Sequence, residues 1–431
     1  MRIIIVGAGP GGYETAVEAA KRGLEVVLVS AGPVGGTCLN EGCIPTKTLC
    51  HAAETMPEGG IDMAATQQRK TDVILQLRSG IESLLKNKLI TFVEGVGSLV
   101  DAHTVKVGET EYTADAVIIA TGSASVALPI PGADLPEVVD STAMLNLQSV
   151  PKRLCIIGGG VIGLEFASIY KAFGSEVTVL EYAPNILPRF DVDLAKRLKQ
   201  SLGKRGIAIE TAAQVTGVVK TDDGVAVTYL KKEKEFSVPA DLVLMAVGRR
   251  PVLMDGLDAC GVAYTRRGIT VDENMQTSVP GVYAVGDVNG GIMLAHVASF
   301  EGTRALNHIC GVSDSIDFSI VPAAVFTVPE VATVGLTEEE CKDKGIAFKA
   351  LKSFYRANGK AVSMEASDGL CKFLVEEGTG KILGCHIMGA HSSDLIHEAS
   401  VLMNLGATVD QARNMIHAHP SLAEVLQAAL R

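Results

Sequence analysis

Two cysteines, Cys38 and Cys43, stand in the run GGTCLNEGCIPTKTL with four residues between them. Set among glycines and opening what reads as a helix, such a pair suits a small disulfide loop that opens and closes. The positive end of a helix near a sulfur lowers its pKa and favours the thiolate, the form that attacks a disulfide. Zinc is a poor fit, because a zinc knuckle is Cys-x-x-Cys and no second pair lies near to complete four ligands. No metal site is expected. Dithiol exchange also needs a base, and the segment His419-Pro420-Ser421-Leu422-Ala423-Glu424 offers one. Histidine takes and returns a proton near neutral pH. Glu424, five residues on, lies about one and a half helical turns away and can orient the ring as a carboxylate partner does. His417 is the rival base; His419 is preferred because Pro420 pins its backbone, and the bond between them is a candidate for the cis form.

Such groups need a scaffold, and the chain writes one twice. RIIIVGAGPGG reads as an apolar strand running into Gly7-x-Gly9-x-x-Gly12, followed by helix-compatible residues Tyr13 to Arg22 and a second strand ending at Ser30. RLCIIGGGVIG repeats the pattern as Gly158-x-Gly160-x-x-Gly163, and its second strand ends at Glu181. Every landmark is displaced by the same interval. One Gly-x-Gly-x-x-Gly is weak evidence; with strand before, helix after and a second strand on schedule, each copy predicts a dinucleotide site. The glycines permit the tight turn and close approach to a pyrophosphate, which the helix N-terminus receives. An acid ending the second strand bonds a ribose 2′-OH. Glu181 fits and would repel a 2′-phosphate, with no cation at Tyr182 or Ala183 to offset it, so NAD is expected over NADP there. Ser30 breaks the pattern in the first copy. Beyond Gly203 the chain is β-rich and alternating; from about Phe318 strands and amphipathic helices follow without a nucleotide motif.

The 431 residues suit two or three domains. A net charge of −11 argues against nucleic acid or an anionic membrane as partner. No signal-peptide pattern follows Met1, and no apolar run approaches the roughly 18 residues of a membrane span. The richest stretch, Leu154 to Ala167, is broken by glycines and carries Glu165. A cytoplasmic location is expected. The nine cysteines are odd in number, which disfavours a disulfide framework.

GAGPGG, GGTCLNEGCIPTK, ATGS, GGGVIGLE, VGRRP, Gly286-Asp287 with MLAHVA, PAAVFTVPEVATVG and HAHPSLAE occur in this order. Together they resemble the class I pyridine nucleotide–disulfide oxidoreductase family over nearly the whole chain, and within it the dihydrolipoamide dehydrogenases. The resemblance implies an α/β fold with two Rossmann-like dinucleotide-binding domains and a C-terminal α+β dimerisation domain. The division expected is 1–145 for FAD, 146–265 for NAD, 266–317 as a return segment completing the central domain, and 318–431 for dimerisation. FAD would contact Gly7, Gly9, Gly12, Ser30, Gly36, Thr37, Lys47, Gly97, Thr121, Gly122, Ser123, Asp287 and the run Met293, Leu294, Ala295, His296. NAD would lie on Gly158, Gly160 and Gly163, with Glu181, Val215 and Gly248 nearby. Lys47 and Glu165 match an ion pair beside the flavin's reactive nitrogen.

The resemblance further implies a homodimer in which His419 and Glu424 serve the other subunit's disulfide. A dihydrolipoyl dithiol, free or on the lipoyl domain of a 2-oxoacid dehydrogenase or glycine cleavage complex, would be oxidised and NAD⁺ reduced. Attack is expected at Cys43, with Cys38 the thiol nearer the flavin. Three features depart from the family: Ser30 in place of an acid, which would reduce flavin affinity, an abbreviated stretch from Met56 to Lys70, and a short tail after HAHPSLAE. Glutathione-type reduction is disfavoured by Glu181, and mercuric reduction by the lack of a cysteine beyond Cys385. Another disulfide or quinone reductase of the family, or a non-catalytic flavoprotein, are the alternatives.

Overall fold

Ile3, Ile4 and Ile5 are fully buried. A strand apolar on both faces belongs at the centre of a parallel sheet covered on both sides, and that is where Arg2–Val6 lies. In this computed structural model, which describes residues 1–56 and 60–431, the first sheet has the parallel order Val282–Ala284, Ala116–Ile119, Arg2–Val6, Glu25–Ser30, Ile90–Glu94. Its crossover helix spans Pro10–Lys21. It begins before the expected Tyr13 because Pro10, with φ preset for a helix and no N–H to leave unpaired, suits the first helical position.

The second sheet repeats the plan with Ile207–Thr211, Glu176–Glu181, Arg153–Ile157, Leu242–Met245 and Val138–Val139, all parallel. Val138–Val139, drawn from the stretch 1–145, pairs with this second sheet and not the first. An antiparallel three-stranded sheet accompanies each parallel one: Gly97–Asp101, Thr104–Val107 and Thr110–Thr113 in the first unit, Gln214–Thr221, Gly224–Lys231 and Lys234–Ala240 in the second. The C-terminal part is an antiparallel five-stranded sheet, Ala323–Val325, Val331–Gly335, Ile382–Met388, Leu370–Glu376, Phe348–Phe354, covered by the helices Ser392–Asn404 and Glu424–Leu430. This is the expected class: two doubly wound nucleotide units and an α+β end. The abbreviated stretch from Met56 includes residues 57–59, which lie outside the described residues; the helix Met63–Leu85 takes up much of the remainder.

Candidate active site

The cysteine loop folds as two short helices broken at one glycine. Gly36–Glu41 carries Cys38; the chain turns at Gly42, and Cys43 is the first residue of the helix Cys43–Glu54. A side chain on Gly42 would stand 2.9 Å from the Thr37 carbonyl oxygen, so the break needs a glycine. Both cysteines are free thiols. A hydrogen bond from Cys38 lowers the Cys43 thiol to about 7 against the opposing effect of burial, and Lys47 assists. The same hydrogen bond, together with burial, pushes Cys38 up. The pair is therefore built to share one proton, with the negative charge on Cys43.

Lys47, one turn after Cys43 on the same helix, donates at 2.9 Å to both carboxylate oxygens of Glu165. Glu165 belongs to the second unit's helix Val161–Ala172, is 3% exposed, and also accepts from the backbone N–H of Phe326 in the C-terminal part at 3.0 Å. Lys47 lies 4.5 Å from the Phe326 ring centroid. Burial alone would depress Lys47, but Glu165 outweighs it and its pKa is raised. One ion pair thus ties all three units together beside Cys43. Charge this deep stays only where paired and hydrogen-bonded.

The two sulfurs face different surroundings. Cys43 feels both Lys47 and Glu165. Cys38 also walls a separate hollow of about 450 Å³ with Tyr13, Leu39, Ile44, Leu77, Ile81 and Phe300. The sequence expectation put Cys38 on the flavin side and attack at Cys43; both cysteines line the large cavity, and their surroundings favour the opposite division of roles. The thiol next to the Lys47–Glu165 pair is Cys43, and the one opening to a second approach is Cys38.

A cavity of about 1640 Å³ runs from the first glycine turn past both cysteines to the C-terminal part. It exceeds the roughly 300–1,000 Å³ of ordinary small-ligand sites, as an extended dinucleotide requires. Gly7, Gly9, Ser30, Gly36, Thr37, Lys47, Gly97, Thr121, Gly122, Ser123, Asp287, Met293, Leu294, Ala295 and His296 all line it. Gly12 lies beneath the turn, where a Cβ would meet the Gly7 carbonyl oxygen at 1.8 Å. Ser123 donates to Asp287, and Arg249 donates to the Ser123 hydroxyl and carbonyl oxygens, each at 2.7 Å. Ser30 is turned away, its hydroxyl donating to the Gly32 carbonyl at 2.9 Å. His296 bonds the Pro322 carbonyl at 2.9 Å, and burial lowers its pKa. The residues fit FAD: a phosphate cradle closed to side chains, a carboxylate at Asp287, and a redox pair on the wall.

Sequence reasoning missed Arg249 and Glu301. Glu301, 6% exposed, accepts from the Gly286 N–H at 2.6 Å and from Asn289 at 2.9 Å, and burial pushes its carboxyl up to about 7. It holds the turn that presents Asp287. An acid inside an otherwise apolar helical face, SFEGTRAL, was the available signal.

The second turn has the same backbone, but Gly158, Gly160, Gly163, Glu181, Val215 and Gly248 do not line the flavin cavity. Glu181 accepts from Gly159 N–H through one oxygen and from Ala183 N–H through the other, both at 2.6 Å. The carboxylate is thereby fixed at the strand end with lone pairs to spare. Val161, Ile162, Glu165 and Phe166, followed by Arg189 and Phe190, carry this unit's surface into the flavin cavity.

His419 is 79% exposed; its Nδ1 lies 2.9 Å from Glu424, whose other oxygen accepts from the Ser421 N–H at 2.9 Å. That N–H first, and then His419, holds the Glu424 carboxyl low. The His419–Pro420 bond is cis. Neither His419 nor Glu424 lines the cavity of its own chain. His417 is 8% exposed and bound to Glu398 at 2.7 Å, which leaves it little freedom as a base.

Fold and site define a flavin-linked disulfide oxidoreductase that reacts with a nicotinamide nucleotide. The chain belongs to the pyridine nucleotide-disulphide oxidoreductase family, matching it over residues 1–302 and its dimerisation domain over residues 321–430. It is 41% identical to a dihydrolipoyl dehydrogenase of Geobacillus stearothermophilus, over 99% of this chain and 94% of that protein. A dihydrolipoyl dehydrogenase of Chlamydia muridarum is 40% identical over 98% and 94%. Among solved structures, the HOCl-induced flavoprotein disulfide reductase RclA of Escherichia coli superposes with a TM-score of 0.91 at 32% identity, covering 100% and 99% of the chains. The protein is an oxidoreductase that uses FAD and NAD(H), and its C-terminal part is the family's dimerisation domain. Among the described residues no helix is long and apolar enough to cross a membrane, and no three metal-binding side chains cluster.

Proposed function

We propose that the protein oxidises a dihydrolipoyl dithiol to its cyclic disulfide and reduces NAD⁺ to NADH. The observation that carries this reading is the division between the thiols: Cys43 stabilised as thiolate beside Lys47–Glu165, and Cys38 open to an apolar hollow suited to a hydrocarbon-borne dithiol. Relatives named dihydrolipoyl dehydrogenase over nearly the full length support the substrate class.

The thiol with the lower pKa leaves faster in exchange. A substrate thiolate therefore attacks the sulfur of Cys38 in the oxidised pair, and Cys43 departs as thiolate. The second substrate thiol attacks the substrate sulfur of the mixed disulfide, closes the cyclic product and releases Cys38. His419 of a second copy accepts the proton, with Glu424 holding its ring. Lys47 balances the negative charge on Cys43, and Glu165 holds Lys47 in place. FAD, bound on the first glycine turn and along the cavity, supplies the two-electron relay to the nicotinamide. Glu181 orients NAD by its ribose, on the turn of Gly158, Gly160 and Gly163.

In this reading residues 1–145, completed by 266–317, serve FAD, 146–265 serve NAD, and 318–431 pair two copies. The lipoyl group is free or carried by the lipoyl domain of a 2-oxoacid dehydrogenase or glycine cleavage complex in the cytoplasm. A steady-state assay of NAD⁺ with dihydrolipoamide, beside other dithiols, disulfides and quinones, tests it. Dihydrolipoamide should give the highest kcat/KM; a faster reaction of NADH with another disulfide or a quinone would reassign the substrate.

A further inference from the structure

The joint between the second nucleotide unit and the C-terminal sheet holds a lysine that water does not reach. Lys372, on the strand Leu370–Glu376, is 0% exposed. Its ammonium is bonded to Asp191, also 0% exposed, and to Glu338 at 2.9 Å, with Asp193 at 3.9 Å. His386 on the neighbouring strand is equally buried, bonded to Thr333 and to the Leu336 carbonyl; burial lowers its pKa against the opposing pull of Asp191. Taking such charges out of water is unfavourable unless good geometry and further hydrogen bonds compensate, and their best-attested use is to specify one arrangement.

Asp191 is what Lys372 fixes. It caps the helix Val192–Lys204, accepting from the N–H groups of Asp193 at 3.1 Å and Leu194 at 3.4 Å. Lys352 to Asp193 and Ser201 to Asp368, each at 2.6 Å, clamp the same helix to the C-terminal part. Directly before Asp191 runs a strap, residues 182–190. It starts at Glu181, is tied to the glycine turn by Leu187 N–H to the Gly159 carbonyl at 2.9 Å, and ends with Arg189 and Phe190 in the flavin cavity wall. Leu187 has a φ of 47°, a conformation a leucine keeps only where both flanks are held.

We propose that Lys372 is a positioning residue for the pyridine-nucleotide half-reaction: acting from the dimerisation domain through Asp191, it sets the strap that joins the nucleotide's acidic anchor to the flavin cavity. This rests on reading the second glycine turn as the NAD site. The test uses holoenzyme with Lys372→Met and Asp191→Asn together, which removes both buried charges while leaving a cap acceptor. Hydrogen–deuterium exchange over residues 182–190 should rise at least tenfold, with strands 153–157 and 176–181 unchanged. NADH should bind several-fold more weakly by calorimetry, while dithiol-driven reduction of the enzyme keeps its parental rate. Glu338→Gln, which keeps the Lys372–Asp191 pair, should move the same readouts less, and it decides the matter should the double variant fail to fold. Parental exchange in the strap, or an equal loss in both half-reactions, overturns the proposal. Glu181→Ala runs alongside. Unchanged NADH affinity there would reject the NAD site itself, whereas weakened NADH with a parental strap in the Lys372 variant rejects only the positioning role.

Discussion

The two glycine turns are nearly the same object with different tasks. Gly7 and Gly158 both have a φ of 112°, and a Cβ on either would strike a carbonyl oxygen, Ala120 at 2.1 Å or Ala246 at 2.3 Å. Gly12 and Gly163 are likewise closed to side chains, at 1.8 and 2.0 Å from the turn's own carbonyl. The difference lies at the end of the second strand. Glu181 is locked by two backbone N–H groups and presents a carboxylate, whereas Ser30 bonds its own loop and presents none. The backbone of either turn suits a pyrophosphate; in the function proposed above, one side chain and the surrounding cavity set which nucleotide each turn serves. The first turn opens into the cavity that holds the cysteines, and the second reaches it only through neighbouring residues.

The sharpest way to break this division is to disable one side and watch the other. Cys43→Ser should abolish dithiol oxidation while NADH affinity, measured by calorimetry, stays parental; surviving turnover would remove the cysteine pair from the chemistry. His419→Ala should lower dithiol turnover by about 10²–10⁴, the scale of a lost proton-transfer group, with NADH oxidation by an artificial acceptor unchanged. Equal rates in variant and parent would move the base to His417.

Next in size is the charge on Cys43. Its thiol is lowered to about 7 chiefly by the Cys38 hydrogen bond. The thiolate therefore persists above pH 7 and is lost as pH falls through that value. Alkylation of the reduced enzyme at Cys43 should rise with a midpoint near 7, giving roughly tenfold or more thiolate at neutral pH than a free cysteine near 8.5. Cys38→Ala should move the midpoint upward. A midpoint near 8.5 in the parent would place the charge elsewhere.

Much of this was readable in the residues because local pattern and chemistry agreed. The paired turns and Glu181 follow from residue type in a periodic context, and the Lys47–Glu165 pair was implied by the family resemblance; the break at Gly42 emerges only in the fold. What escaped depends on how distant segments pack. The sides that Cys38 and Cys43 face are set by Lys47 and Glu165 arriving from different units. Val138–Val139 is too short to declare its sheet. Lys372 in LCKFLVE reads as one cation in an apolar strand, and only the fold brings Asp191 to it. His419 does not line the cavity that holds the cysteines of its own chain, so the role proposed for it calls for a second copy.

The remaining predictions exchange the strand-end residues themselves. Glu181→Ala removes an ionic acceptor worth about 1.5–3 kcal/mol per hydrogen bond to charge, so NADH should bind roughly ten- to a hundredfold more weakly. Titration of NADH against the variant checks this, and a parent that prefers NADPH would contradict the specificity assigned to Glu181. Ser30→Glu makes the reverse change in the first unit. Ser30 is 7% exposed and its hydroxyl is spent on Gly32. A glutamate there must extend into the cavity to be solvated, where its carboxylate can meet the flavin's ribose. Flavin release during dialysis against denaturant should then slow several-fold. Faster release would mean that the first unit holds its nucleotide without any strand-end acid and that Ser30 is the residue its geometry requires.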